Sequence, residues 1–300
     1  MLFNSPGKKV LHVDLKNSVA ETKIHLDLDE LVGGLGLGLG LLHEYRSLKP
    51  LVLAIGPLTG AFPFVSKTAA LWLGAAGKLA EAYAGGRLAL SLRLAGLDAI
   101  MFVGRADQPV SLVVANDQSQ FKVDGFGGTL TEQGYPGRQS FVRPPTGLPA
   151  GGGLVVDDFF KFGEPSLAEV WREHNLLELV VSGLGSYELP TGGDYQTLRQ
   201  KILSLGSALP TLASGSRSCS GCPLGCSAAE LGGEPSGGFL SHCLVACGFA
   251  EKIYEGIPTT FACLTSLGYR YTHEQLEALP SFLYNLREQI TRQASQKLDG

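Results

Sequence analysis

Charge is scarce in this chain: Asp, Glu, Lys and Arg make up 17% of its 300 residues, against about a quarter in an ordinary soluble domain. The formal net charge is −4 and no Lys/Arg cluster occurs, which argues against a nucleic-acid partner held through its phosphates. Long apolar runs are missing too. The longest, residues 88–103, is interrupted by Arg93 and Asp98, so no membrane-spanning helix is predicted. Residues 1–10 contain no apolar signal core. These absences predict a soluble, cytoplasmic protein whose compartment keeps thiols reduced. Neither a Ser/His/Asp set nor a phosphate-cradling loop is visible. The glycine-rich run at 31–42 fails the dinucleotide pattern G-x-G-x-x-G: counted from Gly34 and Gly36, the third position is Leu39. The Asp157-Asp158 pair predicts a turn or cap. His12 and His25 read as solvated histidines on the polar faces of strands, and His174, His242 and His273 have no partner that sequence can identify.

Glycine, in contrast, is plentiful at 40 residues. With so little charge, this predicts extensive burial and many tight turns, or backbone running close to a large ligand. The six cysteines are unevenly placed: Cys219, Cys222 and Cys226 stand in eight residues, spaced Cys-x2-Cys-x3-Cys among Ser, Gly and Pro. Thiolates sharing one centre must converge from a tight loop, and Gly and Pro supply that turn. The spacing suits an iron–sulfur cubane with its fourth ligand from elsewhere, although it lacks the fourth Cys and Pro of the ferredoxin run. Zinc is the rival, with Cys219 and Cys222 joining Cys243 and Cys247 and leaving Cys226 over. Free buried thiols fit the loop composition poorly, and a disulfide framework belongs to short secreted chains. Cys243 and Cys247, one helical turn apart, read either as a source of the fourth ligand or as core residues beside Leu244 and Val245.

Residues 9–15 and 23–28 alternate apolar and polar side chains around Lys16-Asn17-Ser18, which predicts a hairpin with one wet face. Further strands are predicted at 51–55, 71–74, 88–92, 99–103, 110–115, 121–123 and 176–181. The Gly- and Pro-rich stretch 125–153 reads as loop. Apolar strands at 99–103 and 176–181 each close a half of this region, a hint of internal duplication. After Gly192 the period becomes helical: Leu198, Ile202, Leu205 and Leu209 form one stripe closed by Pro210. Helical segments follow at 239–254, 259–267 and 273–296, the last interrupted at Pro280. The expected fold class is α+β, with a mostly antiparallel, β-rich domain at 1–190 and a small helical segment at 191–300.

The order of these motifs resembles the aldehyde:ferredoxin oxidoreductases. The resemblance rests on the opening hairpin; on Ala54-Ile55-Gly56-Pro57-Leu58-Thr59-Gly60; on Ala84-Gly85-Gly86 leading to Leu94-Ala95-Gly96-Leu97-Asp98-Ala99-Ile100; and on Cys219-x2-Cys222-Pro223-Leu224-Gly225-Cys226. It runs along nearly the whole chain and corresponds to about the first half of a typical family member. It implies a β-rich saddle for a tungsten or molybdenum pterin, and a cysteine loop for a [4Fe–4S] cluster that passes electrons from an aldehyde-type substrate to ferredoxin. By position, Cys219, Cys222 and Cys226 would be cluster ligands, with Cys247 as substitute fourth ligand. Gly85 and Gly86 would let backbone approach the pterin, and Lys67 would stand where the family places an Arg near its phosphates.

The chain also departs from the family. Glu164 occurs in the expected basic pterin loop, and residues 264–270 lack the carboxylates of an Asp-x-x-Gly-Leu-Asp motif. These departures predict poor pterin affinity. Alternatives to the family's activity are a shortened, non-catalytic electron-transfer or scaffold subunit, paired with a partner subunit or as a homodimer, and a zinc-stabilised structural protein.

Overall fold

The computed structural model describes residues 7–74, 77–115, 118–123, 139–145, 152–206, 238–248 and 250–295. Twelve strands form two six-stranded sheets. The first contains β1 (Lys8–Asp14), β2 (Val19–His25), β3 (Leu51–Ile55), β4 (Thr68–Leu73), β5 (Leu79–Ala84) and β6 (Ala99–Val103). The second contains β7 (Val110–Ala115), β8 (Gln118–Val123), β9 (Gln139–Arg143), β10 (Leu154–Val156), β11 (Phe160–Phe162) and β12 (Leu176–Ser182). Their orders are β2-β1-β6-β3-β4-β5 and β8-β7-β12-β9-β10-β11, so each strand of the first sheet has a counterpart six places later in the second. Both sheets place their single parallel pair at the same point, β1–β6 and β7–β12, and every other ladder is antiparallel. The fold is therefore α+β and mostly antiparallel, and its topology repeats.

The repeat extends to the connections. Helix α2 (Leu88–Leu94) precedes β6 and α3 (Pro165–Glu173) precedes β12. Each is followed by a left-handed residue at the same place, Gly96 (φ 75°) and Asn175 (φ 61°), the conformation that ends a helix by satisfying its last carbonyls. In sequence, Pro144-Pro145-Thr146-Gly147 follows β9 as Pro57-Leu58-Thr59-Gly60 follows β3.

One core lies between the sheets and takes Leu11, Val13, Leu53 and Phe102 from the first, Leu112, Leu179 and Val181 from the second, and Leu92 and Trp171 from α2 and α3. The other face of the first sheet packs a second core against α1 (Gly34–Tyr45) and the C-terminal helices. These are α4 (Gly193–Gly206), α5 (Phe239–Leu244), α6 (Glu251–Tyr254), α7 (Ile257–Ser266) and α8 (His273–Ser295). Helices and first sheet thus share apolar contacts.

Several local expectations need correction. Residues 88–92 are helical because they are buried on almost every side, and a continuous apolar run reads the same as strand or helix. Strand β9 lies inside the stretch expected to be loop. The 239–254 segment breaks at Val245, which has φ 53°, giving α5 and α6 instead of one helix. Pro280 lies inside α8 without ending it. Helix α1, unsigned by any cap, contains Gly34, Gly36, Gly38 and Gly40 at a propensity cost of roughly 1 kcal/mol each against Ala. Close approach explains them. A Cβ at Gly34 would lie 2.5 Å from the His242 carbonyl oxygen, and one at Gly36 would collide with the Leu31 carbonyl and meet Cys243 Sγ at 3.2 Å.

The β1–β2 hairpin has no simple wet face either, since α1 covers the side carrying Val10 and His12. Nor are the two histidines simply solvated: His25 is buried, His12 is half-buried, and their Nε2 atoms lie 2.8 Å apart. The rings are within 6° of parallel with centroids 5.0 Å apart, little more than that contact plus the two ring radii. They therefore meet head-on in one plane, sharing a hydrogen bond, with Tyr45 edge-on to both. Burial, and then the charge of His25 and Lys23, push His12 down to about 4 from 6.5. The unfolded chain accordingly takes up a proton near pH 6.5 that the folded chain refuses until about pH 4. Stability from this group is complete above pH 6.5 and lost as pH falls to 4, a change of roughly 2 kcal/mol after allowing for solvent screening. The loss of unfolding free energy between pH 7 and pH 4.5, read from urea titrations, should be smaller by about that amount in His12→Gln than in wild type. An identical acid slope in both proteins would show that His12 does not contribute.

Candidate functional site

The segment linking β3 to β4, residues 56–67, is held by hydrogen bonds along its length. Its carbonyls are bound one after another by side chains distant in sequence. Tyr269 donates to Pro57 (3.4 Å), Tyr187 to Gly60 (2.9 Å), Tyr195 to Ala61 (2.7 Å) and Tyr254 to Pro63 (2.6 Å). Burial raises the Tyr195, Tyr254 and Tyr269 hydroxyls above their ordinary range, so they remain protonated donors. Inside the loop, Thr59 Oγ1 donates to the Val65 carbonyl at 3.2 Å.

The loop's first residue is tied to the other motif by a buried ion pair. Arg93 donates through one terminal nitrogen to the Gly56 carbonyl (2.7 Å) and through the other pairs with Asp98 (3.3 Å). Asp98 in turn accepts the Lys9 amide at 2.9 Å, and its own carbonyl accepts the Ile55 amide at 3.0 Å. The two sequence strings, some forty residues apart, are thus one structural unit joined through Arg93.

The turn after α5 seats on this loop. The Cys247 amide donates to the Phe64 carbonyl (2.9 Å), and the Lys67 amide donates to the Val245 carbonyl (3.3 Å). Both Phe64 (φ 67°) and Val245 (φ 53°) are left-handed, strained geometry retained where packing over-determines the chain. Gly56 lies beneath the turn, where a Cβ would meet the Leu244 carbonyl carbon at 2.7 Å. Lys67 and Cys247 are therefore brought to the same place. Lys67 is buried at 4% exposure, and Cys247 is only partly buried.

Lys67 directly precedes the Thr68–Ala84 pair that ends the β4–β5 ladder, and Gly85 directly follows it. The three residues expected at a pterin thus gather at one end of this hairpin. Gly86 (φ 91°) packs on the second sheet: a Cβ there would meet Phe160 and Val156 at 2.9 Å and Asp157 at 3.2 Å. The Arg87 amide donates to Asp157 Oδ2 (3.0 Å), and Ser140 donates to Oδ1 (2.8 Å). Asp157 is a turn residue, as expected, and Asp158 pairs with Arg143 at 2.6 Å. Glu164 stands at the surface before α3, paired with Lys161 at 3.0 Å. In the 264–270 segment, Leu264 enters the helical core and Tyr269 serves the loop.

Cys219, Cys222 and Cys226 lie outside the described residues. The described chain resumes at Gly238 and reaches Cys247 through α5. Cys243 is fully buried against α1, and burial pushes its thiol up to about 12. It packs in the helical core beside Leu244 and Val245. Among the described residues, no three His, Cys, Asp or Glu side chains converge on a metal position. His174 Nδ1 contacts the Gly104 carbonyl at 2.5 Å, and His242 stacks on Tyr83 with centroids 5.3 Å apart. The sequence reading missed the tyrosine braces and the Arg93 bridge. Four tyrosines scattered over eighty residues carry no local signal.

Residues 10–133 match the family described as aldehyde ferredoxin oxidoreductase, N-terminal domain. Among solved structures, the chain is similar to the active-site complex BamBC of benzoyl coenzyme A reductase in complex with 1,5-dienoyl-CoA. That similarity has a TM-score of 0.55 at 18% identity and covers 70% of this chain and 37% of the other. At such identity the likeness concerns the fold alone. The chain spans little more than a third of that structure. No curated protein matches.

Proposed function

We propose, from a chain whose residues 10–133 match the aldehyde ferredoxin oxidoreductase N-terminal domain, that it is an iron–sulfur oxidoreductase of that type. In this reading residues 1–190 are the family's β-rich domain and 191–300 its cluster-bearing helical segment. A [4Fe–4S] cluster is held by Cys219, Cys222, Cys226 and Cys247, and electrons from an aldehyde-type substrate leave through it to ferredoxin. In this reading the protein works in the cytoplasm, whose reducing conditions keep thiolates available for a cluster. Among the described residues no helix is long and apolar enough to cross a membrane.

The observation that carries the reading is the seat of Cys247, bonded to Phe64 and neighbouring the Lys67 amide contact. It places a partly buried cysteine against the hydrogen-bonded 56–67 loop of the family-matched region. The Cys-x2-Cys-x3-Cys spacing suits iron–sulfur ligation, and Cys247, only partly buried where Cys243 is fully buried, is the thiol assigned as its fourth ligand. The cluster, when bound, supplies one-electron transfer; the protein supplies thiolates, orientation and a braced platform.

The residues present do not fit a pterin as well. The backbone at Gly86 is already covered by Phe160, Val156 and Asp157, Lys67 is buried, and Glu164 brings negative charge. No step is therefore assigned to a pterin in this chain. We propose that a partner subunit provides the rest of the catalytic pocket.

Anaerobic purification of the full chain, followed by metal, sulfide and pterin analysis, tests the proposal. Brown protein with about four iron and four sulfide per chain and little pterin is expected. One zinc and no colour would replace the reading by a structural zinc protein. Stoichiometric tungsten or molybdenum with pterin would overturn the assignment of the pocket to a partner.

A further inference from the structure

Away from the loop and the cysteines, a groove of about 400 Å³ runs between α1, the 3-10 turn Asp29–Leu31 and α8. Its floor is hydrocarbon, with Leu28 and Leu31 on one side and Leu279 and Leu286 on the other. Three carboxylates stand around it, Asp27, Glu30 and Glu44, and no Lys or Arg lines it. Glu30 has only a long contact with Gln275 (3.4 Å). Glu44 shares a hydrogen bond with the Tyr45 hydroxyl, which is neutral, and lies 3.8 Å from His25, an ion pair only when that imidazole is protonated. The negative charge at this mouth is therefore mostly uncompensated. His43 also lines the groove, and its Nδ1 is buried with no hydrogen-bond partner.

These features select the chemistry of an occupant. The carboxylates repel anions. A hydrated metal ion needs several oxygen ligands converging on one point, and the described residues offer no such convergence. The leucine floor favours hydrocarbon, and the volume is that of a small-molecule site. We propose that this groove binds a small organic ammonium ion with an apolar body, an alkyl- or arylalkylamine. The hydrocarbon lies on the leucines, and the ammonium donates to the rim carboxylates. The proposal is independent of the iron–sulfur reading.

Titration of the full chain with 2-phenylethylammonium and with its neutral analogue 2-phenylethanol, followed by saturation-transfer NMR, tests it. The amine should bind about tenfold more tightly, the difference that one modest charge-assisted contact produces. The double variant Asp27→Asn/Glu30→Gln changes two exposed residues and should remove most of that preference. Ala278→Trp, an exposed position on α8 that lines the groove, should block both compounds. Equal binding of amine and alcohol would overturn the proposal, as would no binding of either. So would an amine preference that survives the double variant, or equal binding of spermidine, which has charge but little apolar body. If Ala278→Trp fails to fold, the double variant and the paired ligands still decide.

Discussion

Arg93→Met should lower the stability of the folded chain by about 3–5 kcal/mol, the cost of removing one partner from a buried ion pair. The side chains of Arg93 and Asp98 are 4% and 18% exposed, so solvent cannot replace the lost partner fully. The substitution also strips the Gly56 carbonyl of its guanidinium donor. Arg93→Lys should recover less than half of the loss, because an ammonium cannot span both Gly56 and Asp98 as a planar fork does. Urea unfolding of the three proteins gives the comparison. A loss below about 1 kcal/mol for Arg93→Met, within the range of an exposed pair, would show that the bridge is incidental.

Cys222→Ala should abolish the broad visible absorption and reduce bound iron to background, since two remaining thiolates of the loop cannot retain a cubane. Cys247→Ala should do the same, or leave a cluster that oxygen bleaches within minutes. Cys243→Ala should leave iron content unchanged and lower stability by about 1 kcal/mol or more through lost core packing. That ordering separates the partly exposed cysteine from the buried one. Iron retained in full by Cys222→Ala would show that the Cys219–Cys226 loop does not hold it. Iron lost in Cys243→Ala but retained in Cys247→Ala would exchange the roles assigned to the two helix-side cysteines.

Much of the fold was legible because it is written in local patterns. Strands β1, β3, β6, β7 and β12 announce themselves as alternating or continuous apolar runs between turn residues. The helical period after Gly192 is equally plain in α4, α7 and α8. Helices α1 and α2 were not legible. In α1 glycine alternates with leucine, which resembles neither period, and the helix exists because sheet, turn and α5 press on it from several sides. In α2 an apolar run without contrast gives no phase. The geometry of the candidate site was no more legible. Lys67 and Gly85 flank one end of the β4–β5 hairpin, a placement that depends on strand pairing, and Gly86 is packed by Phe160 and Asp157, about seventy residues away.

The sequence by itself determined the chemistry on offer: thiols concentrated in one loop, little charge, abundant glycine, and strand and helix regions in a fixed order. Those properties depend on residue identity and short spacing, which folding does not alter. Only the tertiary structure decided how they are used. It made the two sheets repeats of one topology, a relation carried by long-range pairing. It also joined Gly56 to Asp98 through Arg93 and hung the 56–67 loop from four tyrosines. Finally, it separated Cys243 from Cys247, four residues apart, by turning the backbone left-handed at Val245. Burial then holds one sulfur as a protonated core thiol and leaves the other partly exposed, because desolvation acts on position in three dimensions and not on spacing along the chain.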